Sequence, residues 1–279
     1  MGDSMAQHDR EDKNTRREFS LEKYYVDFVT SEGHYFIGYS AQTNLLGVEV
    51  NYRATVHHPS INGVKSDPSL SSRDAPVLND TNLSWSAPKL GFDGHWQQLS
   101  SADSHVLHRE DDGLVEWNCL QPLARARLTT ASGDTYEGLG YVELLNMTIA
   151  PWHLGLQTLL WGRFVSEHHS VVWIVWHGKY PMALLMCDGQ KIANPRISDS
   201  KVQGDDLELS LERADTIRVA SIGETLVSRL PSVLRTAPVE FLGGREEKYV
   251  SWGKLTFGDD SSHTGWVIHE RVSWGQNQI

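Results

Sequence analysis

Hydrophobic and polar residues alternate along most of the chain from Leu21 onward. Short runs rich in Val, Ile, Tyr, Trp and Thr are separated by the turn-forming residues Gly, Asp, Asn and Ser, at spacings of roughly ten residues. This pattern is typical of many antiparallel strands and favours β-sandwiches or β-barrels over helical layers. The segments that suit strands are HYFIGYSAQ, LLGVEVNYRATVHH, GLVEWNCL, ARARLTTASG, YEGLGYVELLNMTI, RFVSEHHSVVWIVWHG, MALLMCDGQKI, LELSLERADTIRVA, KYVSWGKLTFGD and GWVIHERVSWG.

Two stretches depart from this alternation. In ETLVSRLPSVLR four aliphatic residues share one helical face, although Pro231 interrupts the run, and we expect a short helix there. Residues 59–92 contain four prolines and much Ser, Asp and Asn with weak alternation. They predict a long irregular segment, either a functional lid or a disordered insertion. Trp85 and Phe92 indicate that part of this segment packs back on the protein.

The strands fall into two successive sets, before and after Pro151, and no repeat occurs at a fixed short period. The first residues are strongly charged and lack the apolar core of a secretory signal, so we expect a disordered tail there. The sequence therefore predicts an all-β fold with few short helices. Its predicted parts are a tail at 1–19, an N-terminal β-domain at 20–150 and a C-terminal β-domain at 151–279.

One strand carries a carboxylate in the middle of its more apolar face. Side chains alternate between the two faces of a strand. In residues 139–149 the odd-numbered side chains are apolar or aromatic, except for Glu143. A buried, ionised carboxylate without a partner is costly, so Glu143 must pair with a cation, reach water in a cavity, or hold a proton at a raised pKa.

Two interpretations of Glu143 stay open at this point. In the first, it forms a buried ion pair with Arg163, or lies on an edge strand in contact with solvent. In the second, it donates a proton in an aromatic-lined pocket, where burial keeps the acid protonated and neighbouring rings stabilise a carbocation. Alternation along LVEWNCL lets Trp117 share a cavity wall with Tyr141, so these are the candidate rings.

Composition narrows the class of protein and of partner. The chain has 279 residues, enough to bury a large core, and only two cysteines, Cys119 and Cys187, which fits a reduced, cytoplasmic setting. A net charge of −11 and the lack of a dense Lys/Arg cluster oppose binding to nucleic acid. The longest apolar runs, such as VVWIVW, are far shorter than the ~20 residues of a membrane helix, so we expect a soluble protein without a transmembrane segment. The ten tryptophans can line a pocket for an apolar or cationic guest.

Other catalytic signatures are weak. The adjacent pairs His57-His58 and His168-His169 would point to opposite faces of a strand, which opposes a metal site. The sequence contains no GxSxG, no P-loop and no dinucleotide fingerprint between a strand and a helix, and we expect no cofactor. For His269 a structural role is favoured over a catalytic one.

The central run GLGYVELLNMTIAPWHLGLQTLLWGRFVSEHHSVVWIVWHG resembles the hydroxyneurosporene synthase (carotenoid 1,2-hydratase) family and its lipocalin-like AttH relatives. The matching elements are GYxE at 140–143, PW at 151–152, LxWGRF at 159–164 and the VVWIxW strand. Upstream WNC and the closing GWVIHERVSW are similar to the flanking segments of that family, so the resemblance covers residues 20–279. It implies two lipocalin-like (calycin-type) β-barrel or sandwich domains packed together, with a cavity lined by aromatic residues.

The resemblance also implies an activity. In the hydratases an acidic residue two places after a tyrosine is held to protonate a terminal C=C bond, and water captures the tertiary cation; Tyr141 and Glu143 match these positions. The family typically has Asp there and a histidine upstream, where this chain has Glu143 and either Glu116 or Asn118. These departures count against carotenoid hydration itself, and the shorter chain favours the AttH-like branch. Related lipocalin-like proteins act as cyclases on polyenes.

We therefore predict an enzyme of the hydratase, isomerase or cyclase type acting on an apolar, isoprenoid or polyene-like small molecule. A non-catalytic carrier or sensor that holds an apolar ligand is the alternative, and a structural, envelope-associated protein with a Glu143–Arg163 clamp is a third. The predicted site consists of the catalytic residues Glu143 and Tyr141 and the ligand-binding residues Trp117, Trp152, Trp161, Arg163, Trp173 and Asn118.

Overall fold

The structure, a computed structural model, describes residues 19–58, 74–111, 113–226 and 237–275. These residues form two nine-stranded antiparallel sheets. A 3₁₀ turn at Pro151–His153 connects the last strand of the first sheet to the first strand of the second sheet. The described α-helices are α1 (Ile222–Leu226) and α2 (Val239–Leu242). The predicted all-β class with few short helices is confirmed. The predicted tail lies outside the described residues except for Phe19, which begins the first strand.

The first sheet contains the strands between Phe19 and Met147. In chain order they are β1 (Phe19–Val29), β2 (Tyr35–Leu45), β3 (Val48–His57), β4 (Val77–Asn79), β5 (Asn82–Ala87), β6 (Phe92–Gln98), β7 (Asp103–Glu110), β8 (Gly113–Thr130) and β9 (Thr135–Met147). Across the sheet the order is β3-β2-β1-β9-β8-β6-β5-β4, and β7 pairs with the other part of β8. The chain therefore returns at β9 to the middle of the sheet, between β1 and β8.

The second sheet contains the strands between Leu156 and Ser273. They are β10 (Leu156–Val165), β11 (Ser170–Gly178), β12 (Met182–Cys187), β13 (Gln190–Lys191), β14 (Arg196–Ile197), β15 (Lys201–Gly204), β16 (Leu207–Ser221), β17 (Arg245–Phe257) and β18 (Ser262–Ser273). The order is β13-β12-β11-β10-β18-β17-β16-β15-β14. The sheet is curled, so that the Asp199 carboxylate in the β14–β15 turn lies 3.0 Å from the Arg271 guanidinium on the central strand β18.

The predicted irregular segment at 59–92 is only partly described. The prediction is wrong for its second half, which forms strands. Residues 59–73 lie outside the described residues, but β4 and β5 follow, and Phe92 begins β6. The many Ser and Asn residues made the alternation of apolar and polar positions weak. It is nevertheless present, since the side chains of Leu83, Trp85 and Ala87 are fully buried. Trp85 packs edge-on against Phe92, as expected. Of the predicted helix in ETLVSRLPSVLR only the start is described, as the end of α1.

Three apolar clusters fill the structure. One lies between the two sheets, and each of the other two lies on the inner, concave side of one curled sheet, which is the face turned away from the other sheet. This arrangement explains the continuous apolar run VVWIVW on β11. Val172, Ile174 and Trp176 pack between the two sheets, whereas Val171 and Trp173 face the inner side of the second sheet. A strand buried on both faces needs apolar residues at every position. The inner side of the curled second sheet is called the second-sheet hollow below.

Candidate functional site

Glu143 lies on β9, at the centre of the first sheet. Its pairing partners are Tyr25 on β1 and Cys119 on β8. Strand alternation places Glu143 and Tyr141 on the face that meets the second sheet, and Trp117 on β8 points to the same face. The expectation that Trp117 and Tyr141 share one side of the sheet is confirmed. Only 6% of the Glu143 side chain is exposed, although the residue is a carboxylic acid.

Three donors converge on one oxygen of Glu143. Oε2 accepts hydrogen bonds from the Tyr141 hydroxyl at 2.7 Å, from Trp117 Nε1 at 2.6 Å and from Trp161 Nε1 at 3.1 Å. Trp161 belongs to β10, so the carboxyl group joins the two sheets. Because an indole N–H can only donate, Oε2 must act as an acceptor, and a proton held by Glu143 has its place on Oε1.

Burial raises the pKa of Glu143 above its ordinary value. The charge of Lys23 and the three hydrogen bonds act in the opposite direction, but burial outweighs them. The acid therefore keeps its proton to a higher pH than an exposed glutamate does. Burial also raises the pKa of Tyr141, so its hydroxyl stays protonated and remains a donor to Glu143.

Arg163 does not pair with Glu143, so the interpretation of Glu143 as the partner of a buried Arg163 ion pair is wrong. Its guanidinium forms an ion pair with Asp27 instead. Nε donates to the two carboxylate oxygens at 3.0 and 3.1 Å, and Nη2 donates to Oδ1 at 2.6 Å. Both side chains are fully buried. Arg163 Nη1 donates to the Trp266 carbonyl at 3.1 Å, and the Tyr25 hydroxyl donates to Asp27 at 2.9 Å.

The register of the strands gives the physical reason. Asp27 pairs with Tyr141 across β1 and β9, while Glu143 pairs with Tyr25. The two carboxylates therefore lie on one face of the sheet, two residue pairs apart along the ladder. On β10 Trp161 and Arg163 are also two residues apart and share a face. Trp161 consequently meets Glu143, and Arg163 meets Asp27. A clamp between the sheets exists, but its acid is Asp27.

The remaining predicted site residues lie away from Glu143. Trp152 is at one end of the core between the sheets, where its ring meets Phe19 at 5.8 Å and Phe241 at 5.7 Å. Trp173 belongs to the second-sheet hollow. Asn118 faces the opposite side of the first sheet from Trp117, and its Oδ1 accepts a hydrogen bond from Ser104 at 2.7 Å. Of the predicted residues, the structure thus brings Tyr141, Trp117 and Trp161 into contact with Glu143.

A buried lysine beside this site was missed from the sequence. Lys248 on β17 is 2% exposed, donates to the Tyr39 hydroxyl at 2.9 Å and forms an ion pair with Glu270 on β18. Its ammonium group also lies over the rings of Tyr25, Tyr39 and Trp161, at 5.3, 5.4 and 5.7 Å from their centroids. The only sequence signal was that Lys248 shares strand parity with the apolar Val250. Tyr39, Tyr25, Trp161 and Glu270 come from other strands, which a single sequence does not reveal.

A histidine also stands beside the site, from a strand other than the expected one. His105 on β7 pairs with Trp117 on β8 and stacks on its ring at 5.9 Å. Its Nε2 lies 2.7 Å from the carboxylate of Asp103. The resemblance implies a histidine on the strand of Trp117 itself, where this chain has Glu116 and Asn118. The structure supplies an imidazole at the same tryptophan from the neighbouring strand.

Two further properties bear on what the site can hold. Within residues 19–58, 74–111, 113–226 and 237–275, no group of three or more His, Cys, Asp or Glu side chains is placed to bind a metal ion. No helix in these ranges is long and apolar enough to cross a membrane.

Comparison with solved structures identifies the fold. The structure of CghA with Sch210972 matches with a TM-score of 0.52 and 10% identity, over 94% of this chain and 90% of CghA. Kievitone hydratase from Nectria haematococca matches with a TM-score of 0.50 and 9% identity, over 91% of this chain and 88% of the hydratase. An AttH candidate from Nitrosomonas europaea matches at 0.46, with 9% identity over 92% of each chain. No protein-family model and no curated protein matches the sequence significantly. The chain thus shares the two-sheet, lipocalin-like fold of CghA and kievitone hydratase, as predicted.

Proposed function

We propose that the chain is an enzyme of the hydratase, isomerase or cyclase type, which uses Glu143 to protonate an apolar isoprenoid or polyene-like small molecule. The observation that carries this proposal is the buried Glu143 carboxyl with three donors on one oxygen. The fold supports it, since one protein that shares it is a hydratase by name and another was crystallised with the small molecule Sch210972.

The surroundings of Glu143 suit an acid that gives up its proton once substrate is bound. Before the transfer, burial favours the neutral carboxylic acid. In the transfer the Oε1–H bond breaks and a C–H bond forms at one alkene carbon, which leaves the other carbon as a tertiary cation. The carboxylate so produced already has the donors Tyr141, Trp117 and Trp161 on Oε2. Donors that are in place before charge develops stabilise the transition state without reorganisation.

The cation then has three ways to react, which define the reaction types in the proposal. Addition of water and loss of one of its protons gives an alcohol, and loss of a neighbouring C–H proton gives an isomeric alkene. Attack by a second C=C bond of the same molecule closes a ring and leaves a new cation, which becomes neutral by loss of a neighbouring C–H proton. In all three reactions the released proton returns to the Glu143 carboxylate, so the acid is regenerated.

Aromatic rings beside Glu143 can stabilise the cation. The Tyr25 and Trp161 rings are 4.9 Å apart, and each lies within 6.1 Å of the Tyr141 ring. The faces of such rings attract positive charge, and two of them already lie against the Lys248 ammonium. Glu270 compensates the charge of that ammonium, which limits its repulsion of a second cation.

The other predicted residues have more distant roles in the proposal. Trp117 and Trp161 hold the acid, and Trp152 extends the apolar wall between the sheets. Arg163 acts as a positioning residue, because it fixes Asp27 and with it the hydroxyl of Tyr25. Asn118 lies on the opposite face of the sheet, and Trp173 lies in the second-sheet hollow.

The proposal is tested by proton transfer from solvent in D₂O. The purified protein is incubated with geraniol, farnesol, squalene and lycopene, and with any organic compound that co-purifies and is identified by mass spectrometry. We expect deuterium in a hydrated, isomerised or cyclised product. A Glu143→Gln variant should lose at least about 100-fold of this rate, since general acids contribute about 10²–10⁴-fold.

The matched control is Glu137→Gln, which changes an exposed glutamate on the same strand and should leave the rate unchanged. Turnover by Glu143→Gln at the wild-type rate would rule out Glu143 as the acid. Tight binding of a co-purifying apolar compound by both variants and by the wild type, without conversion by any of them, would instead support the carrier.

A further inference from the structure

The floor of the second-sheet hollow is a row of four residues across neighbouring strands. Trp173 on β11 pairs with Gly162 on β10, Gly162 pairs with His269 on β18, and His269 pairs with Tyr249 on β17. A Cβ atom at Gly162 would lie 2.2 Å from the indole of Trp173 and 2.8 Å from the Cβ of His269. The glycine of the WGRF element therefore allows the indole to lie flat across β10. The result is an aromatic floor on the side of the sheet that faces away from Glu143.

A cavity of about 230 Å³ lies on this floor. Leu160 and Ile197 contribute apolar walls, and the β14–β15 turn forms one side of the cavity. Trp161, whose indole N–H donates to Glu143, also borders it. The ion pair between Asp199 and Arg271 holds that turn in place. An engineered apolar cavity of about 150 Å³ binds benzene, so this volume accommodates a substituted benzene ring.

His269 provides a polar anchor at the cavity. Its Nε2 is 2.9 Å from the Ser251 hydroxyl, and its ring stacks on Tyr249 with the centroids 5.3 Å apart. These contacts fix the orientation of the imidazole. Burial lowers the pKa of His269 to about 4, so the ring is uncharged at neutral pH. Within the described part of the chain Nδ1 makes no hydrogen bond, which leaves it available to a ligand in the cavity.

The charges around the cavity select against an anion. Two carboxylates line it, on Asp199 and Glu247, whereas the Glu270 side chain lies on the other face of β18 with Lys248, and the only lining cation among the described residues is Arg271. A phenolic hydroxyl both donates and accepts, so it can pair with Nδ1 in either tautomer of His269. We propose that the second-sheet hollow is a second small-molecule site, on the opposite face of the second sheet from Glu143, which binds a small uncharged phenol on the Trp173–Tyr249 floor with its hydroxyl on His269.

The proposal is tested by calorimetric or NMR titration of the full chain with three matched probes at neutral pH: p-cresol, toluene and 4-methylbenzoate. We expect p-cresol to bind about five-fold more tightly than toluene, the gain of one net hydrogen bond. The benzoate should bind at least about ten-fold more weakly than p-cresol because of the carboxylates of Asp199 and Glu247. Equal affinities of p-cresol and toluene, or a preference for the benzoate, would overturn the proposal.

Variants locate the bound phenol. His269→Phe should reduce the affinity for p-cresol to that for toluene, whereas His177→Phe, at an exposed position of β11, should leave it unchanged. Glu143→Gln should also bind p-cresol like the wild type, so failure of the acid mechanism and failure of this site are distinguishable. Unchanged binding by His269→Phe, or loss of binding in Glu143→Gln, would show that the phenol does not occupy the hollow.

A measurement on the wild-type protein covers the case in which His269→Phe does not fold. In ¹H–¹⁵N spectra p-cresol should shift the imidazole signals of His269 and the indole signal of Trp173. The indole signal of Trp117, which hydrogen-bonds to Glu143, should not move. Shifts at Trp117 without shifts at His269 would place the phenol between the sheets and contradict the proposal.

Discussion

Replacing Arg163 by Met should destabilise the protein by about 3–5 kcal/mol, because it leaves the buried carboxylate of Asp27 without its cation. The wild-type guanidinium makes three contacts with Asp27 and a fourth with the Trp266 carbonyl, and both partners of the ion pair are fully buried. Methionine fills similar volume, so the loss is mainly electrostatic. Against a typical total of about 5–15 kcal/mol, this is a large fraction.

Urea denaturation followed by tryptophan fluorescence measures the effect. Arg127→Met is the matched control, since the Arg127–Glu137 pair is 63% and 64% exposed, and its loss should cost less than about 1 kcal/mol. The double variant Asp27→Leu/Arg163→Met should recover much of the loss, because replacing a whole buried pair by apolar residues is often neutral.

A double-mutant cycle separates the observed pairing from the expected one. Arg163 and Asp27 should show a large coupling free energy, whereas Arg163 and Glu143, replaced by Gln, should show less than about 0.5 kcal/mol. A loss below about 1 kcal/mol in Arg163→Met, or a larger coupling to Glu143 than to Asp27, would refute the assignment of the clamp to Asp27.

Three further predictions follow from the same structure. Gly162→Ala should destabilise by about 1–3 kcal/mol in thermal unfolding, because its methyl group meets the Trp173 ring at 2.2 Å; an unchanged Tm would contradict the close approach. Burial raises the pKa of Glu270, but Lys248 holds that pKa below its ordinary value. In Lys248→Met the pKa of Glu270 should rise, so the free energy of unfolding of this variant should fall as pH increases from 5 to 8. A loss of stability that does not depend on pH would contradict the buried pair. The raised pKa of Glu143 means that the folded protein holds a proton that the unfolded chain releases. Wild-type stability relative to Glu143→Gln should therefore be greatest below pH 4.5 and decline as pH rises through the folded pKa, whereas a constant difference would indicate an ordinary carboxylate.

The sequence predicted the features that depend on local alternation. Parity along β9 identified Glu143 as a carboxylate on an apolar face, and parity along β8 placed Trp117 and Asn118 on opposite faces. These two inferences needed only the two-residue period of a strand. That Trp117 lies on the side of Tyr141 depends in addition on the pairing of β8 with β9, and the two-sheet fold followed from strand count and from the resemblance.

The features that were missed depend on how strands pair and how the two sheets meet. Asp27 and Arg163 are 136 residues apart, and only the register between β1 and β9 shows that Asp27, not Glu143, lies opposite Arg163. Trp173 could not be assigned to a face, because VVWIVW is apolar on both sides and carries no period. Lys248 is held by residues of both sheets, so its burial is a property of the assembled fold.

The protonation state of Glu143 tests the central claim most directly. The ¹⁵N and ¹H shifts of the Trp117 indole, which donates to Oε2, can be followed from pH 3 to pH 9, with Glu143→Gln to assign the transition. We predict a single titration with a midpoint above the ordinary value of 4.5, which is absent in Glu143→Gln. A midpoint at or below 4.5 would mean that burial does not favour the protonated acid, and it would contradict the role of Glu143 as the proton donor.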